Sequence, residues 1–136
     1  MKPNGKILVP LDGSKVAEAI LPEVEAQAEA FKANIRIIRS YYGSGEDAQA
    51  IIAKEADDYV HKMEKALKAK GFKVDSVTTF DADAAQAILE HSKDIDLIMM
   101  STHGQGAIKR FLLGSVAEKV LHHATKPIYL ARSVIK

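Results

Sequence analysis

The residues best suited to chemistry in this sequence lie in two stretches. One is Asp12-Gly13-Ser14; the other is Ser101-Thr102-His103-Gly104-Gln105-Gly106, which leads through 107–113 into Gly114-Ser115-Val116. The glycines of the longer stretch let backbone amides approach an oxyanion with no Cβ in the way. If Gly114-Ser115 opens a helix, its unpaired N–H groups and the positive end of the helix dipole favour phosphate there. Gly114 would then bring its amide against that phosphate and Ser115 would add a hydroxyl. The spacing fits neither G-x-G-x-x-G nor G-x-x-x-x-G-K-[ST], which excludes a dinucleotide fingerprint and a Walker A loop. A glycine-containing loop followed by an ordinary serine N-cap gives the same pattern, so spacing alone leaves both readings open.

Other polar residues carry paired readings too. Asp12 serves either as an acceptor for ligand hydroxyls or as a cap for the Gly13-Ser14 turn amides. His103 stands where a general base could, yet no serine–histidine–acid arrangement surrounds it, and packing within the loop is the simpler role. His122 and His123 are adjacent on a helical segment and point apart, which disfavours a shared metal face. Lys109 and Arg110 either reach a phosphate chain or form a solvated loop face. Tyr41 and Tyr42 either stack on a planar ligand or close the edge of the core. With no cysteine there is no disulfide, thiolate nucleophile, zinc knuckle or iron–sulfur cluster.

The elements that must position these residues follow from the pattern of apolar runs. The chain has 136 residues, 47% hydrophobic and 27% charged, which suits one globular domain over 1–136. A formal net charge of +1 gives no field to recruit nucleic acid or an anionic membrane. The first apolar run begins only at Ile7 and is broken by Asp12, too soon for a signal peptide or a membrane span, so a cytoplasmic protein is expected. Five short runs, 7–11, 35–38, 74–80, 95–100 and 128–131, alternate with segments of helical period. That is the pattern of an α/β parallel sheet with crossover helices on both faces. The first and fourth runs are nearly all apolar, as central strands are, and the third carries Asp75, Ser76, Thr78 and Thr79, as an edge does. Helices are expected over 15–32, capped by Ser14 and kinked at Pro22, over 46–70, over 83–92, and from Gly114-Ser115 to about 124. Ligands of such sheets bind beyond the carboxyl ends of the strands where strand order reverses, and both polar stretches follow strands there.

The run Leu97-Ile98-Met99-Met100-Ser101-Thr102-His103-Gly104, then nine residues, then Gly114-Ser115-Val116-Ala117-Glu118-Lys119-Val120-Leu121 and Lys126-Pro127-Ile128, resembles the universal stress protein family. The opening Ile7-Leu8-Val9-Pro10-Leu11-Asp12-Gly13-Ser14 matches that family's first strand and loop, and the resemblance covers the whole chain. It implies an open five-stranded parallel sheet of order 3-2-1-4-5, Rossmann-like, in a homodimer joined through the C-terminal strand. It also implies an ATP site, with Mg2+, of the G-x-x-G-x9-G-[ST] type. Carried over by position, Gly104, Gly114 and Ser115 would hold the phosphates, with Val116 continuing the contact. Asp12 would meet ribose and adenine, Pro10 and Leu11 would flank the base, and Ser40 would line the adenine, with Met100 closing the fourth strand. Ser101 stands where the signature has its first glycine, and there its side chain either crowds the ligand or adds a hydrogen bond.

The resemblance thus implies a sensing or regulatory binding module in stress response. A slow ATP hydrolase of the same fold and a dimeric module without ATP are the alternatives. An ATP-dependent ligase would need an S-G-G-x-D-S loop or a H-I-G-H motif, and a phosphoacceptor receiver would need an acidic pair at the first strand and Lys-Pro after the fifth. Only Asp12 stands here, and Lys126-Pro127 precedes its strand. The sequence names neither a protein partner nor a stress.

Overall fold

A computed structural model describes residues 1–106 and 112–133. Strands β1 (Lys6–Pro10), β2 (Asn34–Tyr41), β3 (Lys73–Phe80), β4 (Leu97–Ser101) and β5 (Ile128–Ala131) pair in parallel as one sheet of order β3-β2-β1-β4-β5. The α/β expectation and the 3-2-1-4-5 order are both met. Helices α1 (Leu21–Phe31) and α2 (Glu46–Ala69) cover one face, and α3 (Ala84–Glu90) and α4 (Ser115–His123) cover the other.

Side-chain alternation along the strands divides the core in two. Ile7, Val9, Ile35, Ile37 and Met99 pack against Val24, Ala28, Val60 and Leu67 of α1 and α2. Leu8, Ile38, Ile98 and Met100 pack against Ala85, Ile88, Ala117 and Val120 of α3 and α4. Ile7, Leu8 and Val9 are wholly buried, which is why the first run shows no polar alternation. At the β3 edge, Ser76 and Thr78 donate to Glu64 and Asp57 of α2, so a polar strand is satisfied by the helix above it.

Local differences from the sequence reading concern ends. The single kinked helix expected over 15–32 is instead a 3-10 turn (Ala17–Ile20) followed by α1, with Pro22 in the first turn of α1. Proline fits there because the first amides of a helix have no intrahelical acceptor. Ser14 still assists the start: its Oγ accepts from the Ala17 amide at 3.1 Å. α3 is shorter than 83–92, with Asp83 as its cap accepting from the Gln86 amide at 3.1 Å. β2 runs past Ile38 to Tyr41, drawn out by its ladder with β3 as far as Tyr41 opposite Phe80. Among the described residues no helix is long and apolar enough to cross a membrane.

Lys32 ends α1 in the left-handed region, at φ 53° and ψ 42°. A glycine there removes the steric cost of its Cβ, offset in part by a more flexible unfolded chain. Lys32→Gly is expected to stabilise the protein by about 0.5–1 kcal/mol in urea denaturation.

Candidate functional site

β1 has β2 on one side and β4 on the other, so the chain leaves β1 and β4 in opposite senses and opens a crevice at their carboxyl ends. The crevice has a volume of about 580 Å³, within the range of small-molecule sites. It brings together every residue singled out by position in the sequence: Pro10, Leu11, Asp12, Ser40, Met100, Ser101, Gly104, Gly114, Ser115 and Val116.

Asp12 joins its two walls. Its Oδ1 accepts from the Ser14 amide at 2.9 Å and from Ser14 Oγ at 2.6 Å, which is the turn-capping role. Its Oδ2 accepts from the Gln105 amide at 2.7 Å, and Gln105 Nε2 donates to the Asp12 carbonyl at 2.8 Å. The glycine loop is thereby tied across the crevice, and Gly104 lies so close to Asp12 Oδ2 that a side chain at 104 would collide with it. A carboxylate offers about four acceptor positions, so these three donors leave one for a ligand hydroxyl.

At the end of β4 the polar groups turn inward. Ser101, Thr102, His103 and Ser133 are all buried, and each is bonded. Ser101 Oγ donates to the Ala17 carbonyl at 2.8 Å. The hydroxyl in place of the signature glycine therefore spends its proton within the chain and pins the 3-10 turn to β4. Thr102 continues the ladder, its amide donating to the Ala131 carbonyl at 2.9 Å. Its Oγ1 accepts from the Ser133 amide at 3.1 Å and lies 3.0 Å from His103 Nδ1. The His103 amide donates to Ser133 Oγ at 3.3 Å. His103 thus takes the loop-packing role.

α4 begins with Gly114 at its N-cap position, at φ −71° and ψ 162°, and no side chain caps it. The expectation that the Gly114 amide itself meets a phosphate is not met, because that amide donates to the Thr102 carbonyl at 2.7 Å. The glycine is required by closeness instead: a Cβ at 114 would stand 3.2 Å from the Thr102 carbonyl and 3.4 Å from His103 Cα. The amides that precede the first intrahelical acceptor are those of Ser115, Val116 and Ala117, and all three residues line the crevice. They form an anion-favouring end.

Arg39 is a lining residue that the sequence did not single out. Its side chain is 11% exposed, packs under Gly13, lies 5.0 Å from the Tyr59 ring centroid and approaches Glu55 at 3.5 Å. Tyr59 in turn donates to Glu18 at 2.8 Å. Burial, reinforced by the Glu18 carboxylate that accepts its proton, pushes the Tyr59 phenol well above its ordinary value. Tyr41 and Tyr42 both line the mouth and both touch Phe80, Tyr42 stacked on it at 5.4 Å, so edge closure and access to the crevice coexist. Lys109 and Arg110 lie outside the described residues. His122 and His123 are exposed on α4, and among the described residues no three His, Asp or Glu gather as a metal site.

Comparison with known proteins places this geometry. The profile of the universal stress protein family matches residues 3–132. Universal stress protein MJ0531 of Methanocaldococcus jannaschii is 30% identical, over 93% of this chain and 81% of that protein. The solved structure of MJ0577, from the same organism, superposes with a TM-score of 0.85 and 26% identity, covering 98% of this chain and 99% of the other. A universal stress protein solved in complex with cAMP shares the fold at a TM-score of 0.68 and 21% identity, covering 98% of this chain and 100% of that one.

Two outcomes follow from the bonding. Ser101→Ala removes the hydroxyl that ties the Ala17 carbonyl to β4 and is expected to cost about 0.5–1.5 kcal/mol by urea denaturation. Tyr59 binds its proton more tightly folded than unfolded, so its contribution is complete below about pH 10, the unfolded value, and is lost as pH rises beyond it. Stability measured from pH 9 to 11.5 should fall less steeply in Tyr59→Phe than in the unsubstituted protein.

Proposed function

Because this chain belongs to the universal stress protein family, we propose that its crevice holds an adenine nucleotide, ATP with Mg2+, and that the protein acts as a homodimeric sensing or regulatory module rather than as a catalyst of turnover. The observation that carries the reading is the uncapped start of α4, facing Asp12 across the β1–β4 crevice. An uncapped helix start offers several amides to one phosphate chain, and a carboxylate opposite offers an acceptor to ribose hydroxyls.

In this reading the phosphates sit on the Ser115, Val116 and Ala117 amides with the Ser115 hydroxyl. Asp12 takes the ribose with its remaining acceptor position, and the base lies toward Pro10, Leu11 and Ser40. Gly104 keeps the loop close to Asp12, Gly114 sets the position of α4, and Met100 and Val116 supply apolar wall. Ser101 acts through the 3-10 turn. Mg2+ would be held chiefly by phosphate oxygens and water, as this ion commonly is. The cAMP complex of a protein with this fold supports an adenine nucleotide as the ligand class. For the dimer, the support is the edge strand β5, whose four residues are each half-buried and which pairs only with β4 among the described residues. A second copy paired antiparallel would satisfy the open edge.

The dimeric module without ATP is the second reading, favoured by the Asp12 carboxylate being already engaged by Ser14 and Gln105. Calorimetric titration with ATP and Mg2+, together with mass spectrometry of nucleotide released on denaturation, separates the two. Ser115→Pro is the sharpest variant, because Gly114 already has the extended backbone that proline demands of its predecessor. It deletes one amide and one hydroxyl while keeping the helix. A hydrogen bond to a charged phosphate is worth roughly 1.5–3 kcal/mol, so affinity should fall by about tenfold to a hundredfold or more. Unchanged ATP binding by folded Ser115→Pro would place the nucleotide elsewhere. No heat and no released nucleotide at millimolar ATP would favour the module without ATP.

A further inference from the structure

The two walls of the crevice are clasped together by a residue that has no part in the nucleotide contacts above, Gln105. It grips Asp12 twice across 93 positions of sequence: its amide donates to Oδ2 at 2.7 Å, and its Nε2 donates to the Asp12 carbonyl at 2.8 Å. Gly104 makes the approach possible, because a Cβ there would collide with the same Oδ2. At the other oxygen, the Ser14 amide and the Ser14 hydroxyl both donate to Oδ1, at 2.9 Å and 2.6 Å. Each carboxylate oxygen has about two acceptor positions. Oδ1 is therefore full, and Oδ2 keeps one position beside the one that Gln105 occupies.

We infer that Gln105, acting through Asp12, sets how the site reads a sugar: with the clasp closed, the carboxylate accepts from a single ribose hydroxyl and not from a vicinal pair. The inference rests on the reading above, in which Asp12 meets the ribose of a nucleotide in the crevice. Two neighbouring hydroxyls need two acceptor positions if the carboxylate is to bind both, and only one is open. One hydroxyl is bound and the other stays with water. A site that bonds both hydroxyls rejects a ligand lacking one, because an acceptor is then left unpaired. Here that acceptor already has a donor from the chain itself, so ribose and deoxyribose nucleotides are taken alike. Gln105 is a positioning residue, since it touches Asp12 and fixes both the direction of the carboxylate and the acceptor position left to a ligand.

Calorimetric titration with ATP, 2′-deoxy-ATP and 3′-deoxy-ATP, each with Mg2+, tests this in the unsubstituted protein, in Gln105→Pro and in Gln105→Ala. In the unsubstituted protein the three affinities should agree within about threefold, the diol gaining only the choice of which hydroxyl to offer. Gln105→Pro has no amide proton, which opens the second position on Oδ2. ATP should then lead both deoxy analogues by about tenfold to a hundredfold, the worth of one more hydrogen bond to a charged group. Gln105→Ala keeps the amide and loses only the side-chain bond, so its affinities should still agree within about threefold. A general loosening of the loop would weaken all three nucleotides together and leave their ratios unmoved. Hydrogen exchange on the unsubstituted protein supplies a readout independent of any variant: the Gln105 amide should exchange no faster with ATP bound than without, because the clasp stays closed. A preference of about tenfold or more for ATP over both analogues in the unsubstituted protein would overturn the inference. So would unchanged ratios in folded Gln105→Pro, or a Gln105 amide that loses protection when ATP binds. Should none of the three nucleotides bind the unsubstituted protein, the reading on which the inference rests would fall, and the inference with it.

Discussion

The hydrogen bond from the Gly114 amide to the Thr102 carbonyl is the constraint on which the candidate site depends. β4 ends at Ser101, and this bond sets how the start of α4 meets that strand end, while Ala117 and Val120 hold the body of the helix on the sheet. The approach is close enough that a side chain at 114 would press on the Thr102 carbonyl and His103 Cα. With the bond made, the Gly114 amide is satisfied internally, and the next three residues, whose amides have no intrahelical acceptor, line the crevice. An interior polar bond thus decides where the helix end points, and the helix end decides what the crevice can bind. Because Thr102 is buried, breaking this bond would also leave its carbonyl without this donor.

The crevice has one wall of each sign. The start of α4 carries the helix's partial positive charge, and Asp12 faces it with a carboxylate tied to Ser14 and Gln105. Such a pair suits a ligand that is anionic at one end and rich in hydroxyl donors at the other, which is the chemistry of a ribose phosphate. Arg39 lies against Gly13 of the Asp12 turn, and its guanidinium pairs with Glu55 and rests over the Tyr59 ring.

Much of this was legible in the sequence because it follows from periodicity. Runs at 7–11 and 95–100 with no polar alternation demanded burial on both faces, and the family resemblance supplied the strand order that pairing then reproduced. The residues that gather in the crevice were legible because each follows a strand end, where topology alone assembles them. What could not be read was the direction of single groups. Glycine spacing is the same whether the Gly114 amide faces a ligand or the Thr102 carbonyl. The partner of Ser101 lies 84 residues away in sequence, so no local pattern reveals that its hydroxyl is already used. Arg39 could not be singled out because its burial depends on Tyr59 of α2 and on Gly13 of the β1 loop. Pro22 was misread for the opposite reason: a rule for helix interiors was applied where the helix in fact begins.

The central claim is that the carboxyl-end crevice between β1 and β4 binds ATP on the first amides of α4 and on Asp12. Titration of 15N-labelled protein with ATP and Mg2+, followed by two-dimensional NMR, tests it most directly because every amide reports for itself. The account expects saturable shifts concentrated at Ser115, Val116, Ala117, Gly104 and the Asp12–Ser14 turn, with the amino ends of the strands unmoved. No shifts at millimolar ATP, or shifts centred away from the start of α4, would contradict it.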